Sequence, residues 1–343
     1  MGDSYPVEGP RSRNLVDGSF SISGDPGKGR PVSSGAKCDL GEMQQGQGRL
    51  SVKCIFSVDV EDWFHILDVP SAPDLAEWDS LPSRVEDNFE KLLAIFDEKQ
   101  VRVTCFFLGW IAQKFPRLVR DADRRGHEVA SHGYAHRLVY EMTAQGFYED
   151  ALTSKRILED IVGHQIWGYR SSGFSITEKT PWFFAKLIEA GYRYDSSVFP
   201  ALRGHGGLNN GHYAPYRVGS SSEGLVEFPI TTTKVLGVPM CFFGGGYLRL
   251  FPSRLIKNMA LKVLREGRPV IFYVHPREID PHHPRLPMSL RRSFKCYFNL
   301  ETTEAKIRRV LAEFEVTTFR AFIEEHLGPF AATGQLPVAG QVR

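Results

Sequence analysis

The segment Ser-His-Gly-Tyr-Ala-His at residues 131–136 sets two imidazoles, His132 and His136, four residues apart just beyond a strand-like run. Residues four apart share one face of a helical turn, so both rings can reach one divalent ion. A second cluster, Ser-Val-Asp-Val-Glu-Asp-Trp-Phe, puts Asp59, Glu61 and Asp62 at the end of an apolar run. Like charges crowded at the end of a buried element are costly unless a cation or an arginine compensates them, which points to a metal or to a base. Arg170, Asp195 and His275 each end a further apolar run. Taken singly, each group has an ordinary reading: a hydrogen-bonded histidine pair, a solvated acidic turn, a core histidine. Together, metal ligands, a spare carboxylate, an arginine and a histidine at successive strand ends supply what metal-assisted hydrolysis requires.

Strands and helices must alternate to place these groups. Val52 to Val60 is β-rich and apolar; the next segment opens with Ser83 and Glu86 in capping-box spacing and buries Val85, Phe89, Leu92, Leu93 and Phe96 at helical intervals. Strand character returns at Arg102–Leu108, and a helix from Pro116 stops at Gly126 before the strand His127–Ser131. The alternation continues with a helix over 143–161, a strand at 166–169, a helix over 178–190 and a strand at 192–194. After an irregular Gly-rich middle at 203–224 come a strand at 225–228, a helix over 253–266, a strand at 269–274, a helix over 303–314 and a closing strand at 316–319. Such alternation implies parallel pairing. No G-x-G-x-x-G follows the first strand, so a β/α barrel is expected over an open dinucleotide-binding sheet, with the chemistry at the strand ends.

A chain of 343 residues with 42% apolar composition holds a substantial core, and a net charge of +2 gives no electrostatic preference for nucleic acid. The five cysteines are widely spaced without a C-x-x-C pair, which fits a reducing compartment. No apolar run reaches the roughly 18 residues of a membrane span, and the start lacks a basic then apolar secretory pattern, so a cytoplasmic location is expected. Residues 1–50 hold ten of the 32 glycines and no apolar periodicity, and are expected to be a disordered extension; one catalytic domain follows over 51–327, then a flexible tail over 328–343.

The order of these segments resembles the polysaccharide deacetylase family with the NodB homology domain, carbohydrate esterase family four, over roughly residues 52–325. The runs Ser-Val-Asp-Val-Glu-Asp-Trp-Phe, Ser-His-Gly-Tyr-Ala-His, Tyr-Asp-Ser-Ser-Val-Phe-Pro, Phe-Gly-Gly-Gly-Tyr and Tyr-Val-His-Pro-Arg-Glu-Ile-Asp-Pro look like the subfamily tied to exosortase and exopolysaccharide gene clusters. The resemblance implies a distorted (β/α) barrel and a divalent metal, Zn with Co or Mn as alternatives, on Asp62, His132 and His136. It implies Asp59 as base, Arg170 orienting it, His275 as general acid, Asp195 holding His275, and a backbone amide after Arg170 facing the oxyanion. The substrate would be an N-acetylated sugar, polymeric or on a nucleotide- or lipid-linked precursor.

Three departures stand out. The usual adjacent Asp-Asp is Asp-Val-Glu-Asp, which leaves Glu61 as an alternative to Asp62; Gly133 replaces the usual Ser or Thr; Arg170-Ser171-Ser172-Gly173 replaces Arg-x-Pro-Tyr. Two other readings remain: an allantoinase-like amidohydrolase acting on small linear or cyclic amides, or a non-catalytic relative in which Trp63, Trp110 and Phe174 stack on sugar rings.

Overall fold

The computed structural model describes residues 52–201, 206–208, 211–219 and 224–327. The extension expected at 1–50 and the tail expected at 328–343 lie outside the described residues. The first half of the domain runs β1 (Cys54–Val60), α1 (Val85–Glu98), β2 (Thr104–Phe107), α2 (Gly109–Lys114), α3 (Pro116–Arg124), β3 (Glu128–Ser131), α4 (Ala144–Val162), β4 (Gly168–Tyr169), α5 (Phe183–Glu189) and β5 (Tyr194–Asp195). The second half runs β6 (Tyr216–Val218), β7 (Leu225–Glu227), β8 (Thr232–Val235), β9 (Val238–Cys241), α6 (Gly245–Leu250), α7 (Ser253–Arg265), β10 (Ile271–Val274), α8 (Leu290–Tyr297), α9 (Thr303–Glu313), β11 (Val316–Thr317) and α10 (Phe319–His326).

The strands order as β10-β1-β2-β3-β4-β5-β7-β6, with β11 also on β1; every pairing is parallel except the edge strand β6. The sheet curls into a half-barrel, the distorted (β/α) barrel expected from the alternation. Side-chain alternation divides its core in two. Phe56, Val58 and Val60 face outward, against Phe89, Leu92 and Phe96 of α1. Ile55, Phe106, Ala130, Tyr194, Phe228 and Ile271 face inward, and Phe319 of α10 packs among them. Aromatic rings thus plug the barrel interior at the start of the strands, leaving the opposite end to polar groups. Tyr194 fills this space so closely that a Cβ at residue 168 would collide with its ring, so glycine is required there.

Several expected elements are trimmed. The helix expected over 178–190 begins only at Phe183, because Thr180 turns back on Thr177 through two hydrogen bonds, just ahead of Pro181. Ser83 forms no capping box, and its hydroxyl donates instead to Asp62. The hairpin β8–β9, the helices α6 and α8, and α10 beyond the expected closing strand were not anticipated from the sequence; α6 and α8 carry part of the pocket wall.

Candidate active site

The inward parity of the plugged interior continues past the strand ends and turns polar. Ile55 is followed on its face by Ser57, Asp59 and then Glu61; Ala130 by His132; Gly168 by Arg170; Tyr194 by Ser196; Tyr273 by His275. Arg170 is fully buried, stacks 4.2 Å over the Phe106 ring, and gives Nη1 to Asp59 Oδ1 at 2.6 Å and Ser57 Oγ at 2.8 Å. Ser196 accepts from its remaining nitrogens through Oγ and its carbonyl, at 3.2 and 3.3 Å. Asp59 is thereby fixed through one oxygen, leaving Oδ2 facing the pocket.

Glu61 Oε1 lies 3.2 Å from His132 Nε2 and 2.9 Å from His136 Nε2. His132 Nδ1 sits 2.8 Å from the Arg170 carbonyl, which can only accept, so Nδ1 carries the ring proton. In the neutral ring, Nε2 therefore turns a lone pair toward a carboxylate oxygen, an arrangement that calls for a cation or an added proton between them. His136 Nε2 is buried and, despite lying 2.9 Å from Glu61 Oε1, makes no hydrogen bond among the described residues. These three ligand atoms lie within 4.8 Å of one another, and two imidazoles with one carboxylate fit a divalent ion. Burial alone would raise the Glu61 pKa, but the surrounding His136, His275 and His132 outweigh it and hold the carboxyl well below its usual range.

The histidine pair is not helical. It sits in a loop after β3, in which Gly133 has φ +74° and His136 φ +51°. Asp150 of α4 pins that loop by accepting from Tyr134 N at 2.8 Å and Ala135 N at 3.3 Å. A Cβ at residue 133 would stand 2.8 Å from the same carboxylate, which accounts for the glycine where Ser or Thr is usual.

Asp62 does not join this cluster. Outward by parity, its carboxylate accepts from Ser83 Oγ at 2.5 Å, from Arg84 N at 3.1 Å and from Trp63 N at 2.8 Å, supplying the N-terminal cap of α1. Asp62, expected as a metal ligand, therefore lies outside the cluster, and the carboxylate that stands with His132 and His136 is Glu61. Asp195 is likewise turned away from His275: it accepts from Ser197 Oγ at 2.6 Å and lies beside Glu227, its partner in the β5–β7 register. Burial raises the Asp195 pKa to about 6, and burial beside Asp195 pushes Glu227 well above the usual value.

The carboxylate beside His275 Nδ1 is Glu278, not the expected Asp195. It stands three residues past His275 in the 3-10 turn Pro276–Ile279, with Oε2 3.1 Å from His275 Nδ1 and 3.0 Å from His275 N. Despite burial, Arg249 and His275 hold Glu278 at about 2. His275 Nε2 then faces Asp59 Oδ2 at 3.9 Å and Glu61 Oε1 at 3.8 Å. Burial would lower the His275 pKa; Glu61 and Glu278 outweigh it and raise it above 6.5. The turn that sets residue i+3 against residue i was the sequence signal for Glu278.

These groups open into a pocket of about 790 Å³ lined by Asp59, Glu61, His136, Phe174, Tyr273 and His275. Trp63 and Trp110 do not line it: both are buried, Trp63 giving its indole N–H to the Pro82 carbonyl and Trp110 packing on Phe64 and Trp78. Of the three aromatics expected to stack on sugar, Phe174 alone reaches the pocket. The Ser171 amide, expected to face the oxyanion, is spent on Ser197 Oγ at 2.8 Å. His65, unanticipated, also lines the pocket: its Nδ1 accepts from Asp62 N at 3.0 Å, and its Nε2 has no partner among the described residues.

The polysaccharide deacetylase family model matches residues 76–194, and a domain of unknown function, DUF3473, matches residues 196–324. The fold is similar to that of a Mycobacterium smegmatis protein described as a polysaccharide deacetylase, with TM-score 0.51, 21% identity, and 86% of this chain and 98% of that one covered. It is similar also to a probable polysaccharide deacetylase from Pseudomonas aeruginosa PAO1 and to Puue allantoinase, each with TM-score 0.52 at 18% and 17% identity, covering 80% of this chain and 91% of theirs. No protein of curated function matches the chain. The polysaccharide deacetylase model thus covers residues 76–194, and the solved structures share the fold.

Proposed function

We propose that this protein is a metal-dependent hydrolase that removes N-acetyl groups from amino sugars of a polysaccharide or of its nucleotide- or lipid-linked precursor, releasing acetate. The observation that carries the reading is the meeting of His132 Nε2 and Glu61 Oε1, two electron-pair donors at 3.2 Å, beside His136 Nε2. Glu61, His132 and His136 would hold a divalent ion, Zn by donor type with Co or Mn as alternatives. When bound, that ion supplies Lewis-acid polarisation of the acetamide carbonyl and a lowered pKa for water.

The remaining steps belong to the side chains. Asp59, steered by Arg170, takes the proton of the attacking water through Oδ2. His275, its Nδ1 proton held by Glu278 and its pKa raised, presents a protonated Nε2 to the departing amine nitrogen, which cannot leave as an anion. Arg170 keeps Asp59 from rotating. Asp195 acts only from behind, in the Ser196–Ser197 segment that seats Arg170.

Four buried free cysteines among the described residues suit the cytoplasm, and no helix among those residues is long and apolar enough to cross a membrane. Exopolysaccharide precursor synthesis is the setting that the sequence motifs suggest. Release of acetate from N-acetylated oligosaccharides or nucleotide sugars by the metal-loaded protein, abolished by chelation, is the expected result. Ring-opened product from cyclic amides with no acetate would move the reading to an allantoinase-like enzyme. Sugar binding without turnover would reduce it to a binding protein.

A further inference from the structure

We propose that Arg277 and Arg292 form an anion subsite on the pocket wall that takes the phosphate or pyrophosphate of a phosphorylated N-acylated sugar; this rests on the hydrolase reading above. Arg277 lies two residues past His275 and lines the same pocket, and its Nε is buried without a hydrogen-bond partner. No described carboxylate pairs with it. Arg292, on α8, lines the pocket as well; one of its Nη groups donates to the Leu67 carbonyl at 2.5 Å, and its Nε is again buried and unpartnered.

The two fully buried arginines of the barrel are engaged instead with the protein: Arg170 with Asp59, Ser57 and Ser196, and Arg249 through its Nη groups with the Cys296 and Lys295 carbonyls and, as an ion pair with Nε at 3.4 Å, with Glu278. A buried N–H left without an acceptor is costly, so the Nε groups of Arg277 and Arg292, with no described carboxylate paired to them, point to an acceptor that arrives with the ligand. Of the acidic groups on the wall, Asp59, Glu61 and Glu278 are held by Arg170, by the histidines, and by His275 with Arg249, and the remaining one is Asp68.

Two guanidinium forks, with Lys295 on the same wall, exceed what one carboxylate needs and match the several oxygens of a phosphate or pyrophosphate. Such a group is carried either by a nucleotide sugar or by a lipid-linked one. Leu290, Phe294 and Phe298, exposed at 90%, 51% and 41%, form a stripe along α8 at four-residue intervals, and Phe294 and Phe298 reach the pocket rim. The stripe makes a polyprenyl diphosphate sugar a necessary arm of the test.

The experiment compares kcat and KM for methyl N-acetylglucosaminide, its 1-phosphate counterpart, a nucleoside diphosphate N-acetylglucosamine and a polyprenyl diphosphate N-acetylglucosamine in detergent, for wild type, Arg277→Gln and Arg292→Gln. Charge-assisted hydrogen bonds of about 1.5–3 kcal/mol convert to roughly tenfold or more in KM. Phosphorylated sugars should show that advantage in wild type and lose it in either variant, through KM rather than kcat. Equal effects on neutral and phosphorylated sugars would overturn the subsite. The nucleotide and polyprenyl arms separate the two phosphate sources. Calorimetry with inorganic pyrophosphate on the metal-loaded proteins reads the same subsite without turnover: binding weakened about tenfold or more in Arg277→Gln supports it, and unchanged binding refutes it. Absence of acetate from every sugar, with pyrophosphate binding still dependent on Arg277, would count against the hydrolase reading alone.

Discussion

Glu61 and Asp62 are neighbours of nearly the same chemistry, yet they belong to different regions of the molecule. Glu61 continues the inner face of β1 and meets two histidines; Asp62 points outward and caps α1. The β5 end repeats the contrast: Ser196 faces inward and accepts from Arg170, while Asp195 faces outward beside Glu227. A charged residue at a strand end therefore has two destinations, the chemical centre or the framework, and the two-residue period of the strand selects between them. If this division holds, inner-face substitutions should remove activity at little cost in stability, and outer-face substitutions should do the reverse.

The largest effect is expected for Asp59→Asn and His275→Ala, each lowering turnover of an acetamide about 10²–10⁴-fold with metal content and melting temperature retained. The two separate on an activated ester, whose leaving group needs no proton: His275→Ala should show a much smaller defect there, and Asp59→Asn the same defect on both. Equal defects of His275→Ala on both substrates would return His275 to the role of a packed core histidine. Next in size, Glu278→Gln should reduce turnover about tenfold or more, because it loosens the His275 ring and removes one of the charges that raise its pKa. Activity should then fall off at lower pH than in wild type, since a less basic imidazole loses its proton earlier. Asp195→Asn should leave that pH profile unmoved, and a shift there would restore Asp195 as the partner of His275.

On the outer face the readout is stability. Glu227 has its pKa raised by burial beside Asp195, so the folded state holds a proton that the unfolded chain releases near 4.5. Stability from this group is therefore present at low pH and is lost as pH rises above 4.5 toward the folded value. Glu227→Gln mimics the protonated form, and its melting temperature should fall less steeply with rising pH than that of wild type. An identical slope would show that the pair is not the source. The smallest effect is expected for a chain starting at Met43, which should melt and turn over like the full-length protein; a large loss would give the first 42 residues a part in the domain.

Much of this was legible in the sequence. Helices α3 and α4 fall close to their expected limits because Pro116, the Thr143 cap and Gly163 punctuate them. Asp59, His132, His136, Arg170 and His275 converge because each extends the inward parity of its strand. The same alternation, counted from Ser57 through Asp59, leads to Glu61; the resemblance to an adjacent Asp-Asp pair pointed the other way. The pocket wall is less legible, because helices α6 and α8 and the irregular segments after β1 and β10 do not continue the strand alternation that sets direction elsewhere. Arg277 and His65 lie on those irregular segments, and Trp63 and Trp110, which look suited to sugar stacking, are core.

Metal content decides whether Glu61, His132 and His136 form the divalent metal site. Glu61→Gln and Asp62→Asn, each loaded with zinc, freed of excess and measured by mass spectrometry for bound metal per chain, should diverge. Glu61→Gln should lose stoichiometric metal while remaining folded, and Asp62→Asn should keep it while losing about 0.5–2 kcal/mol of stability with the α1 cap. Metal retained in Glu61→Gln and lost in a folded Asp62→Asn would return the site to Asp62.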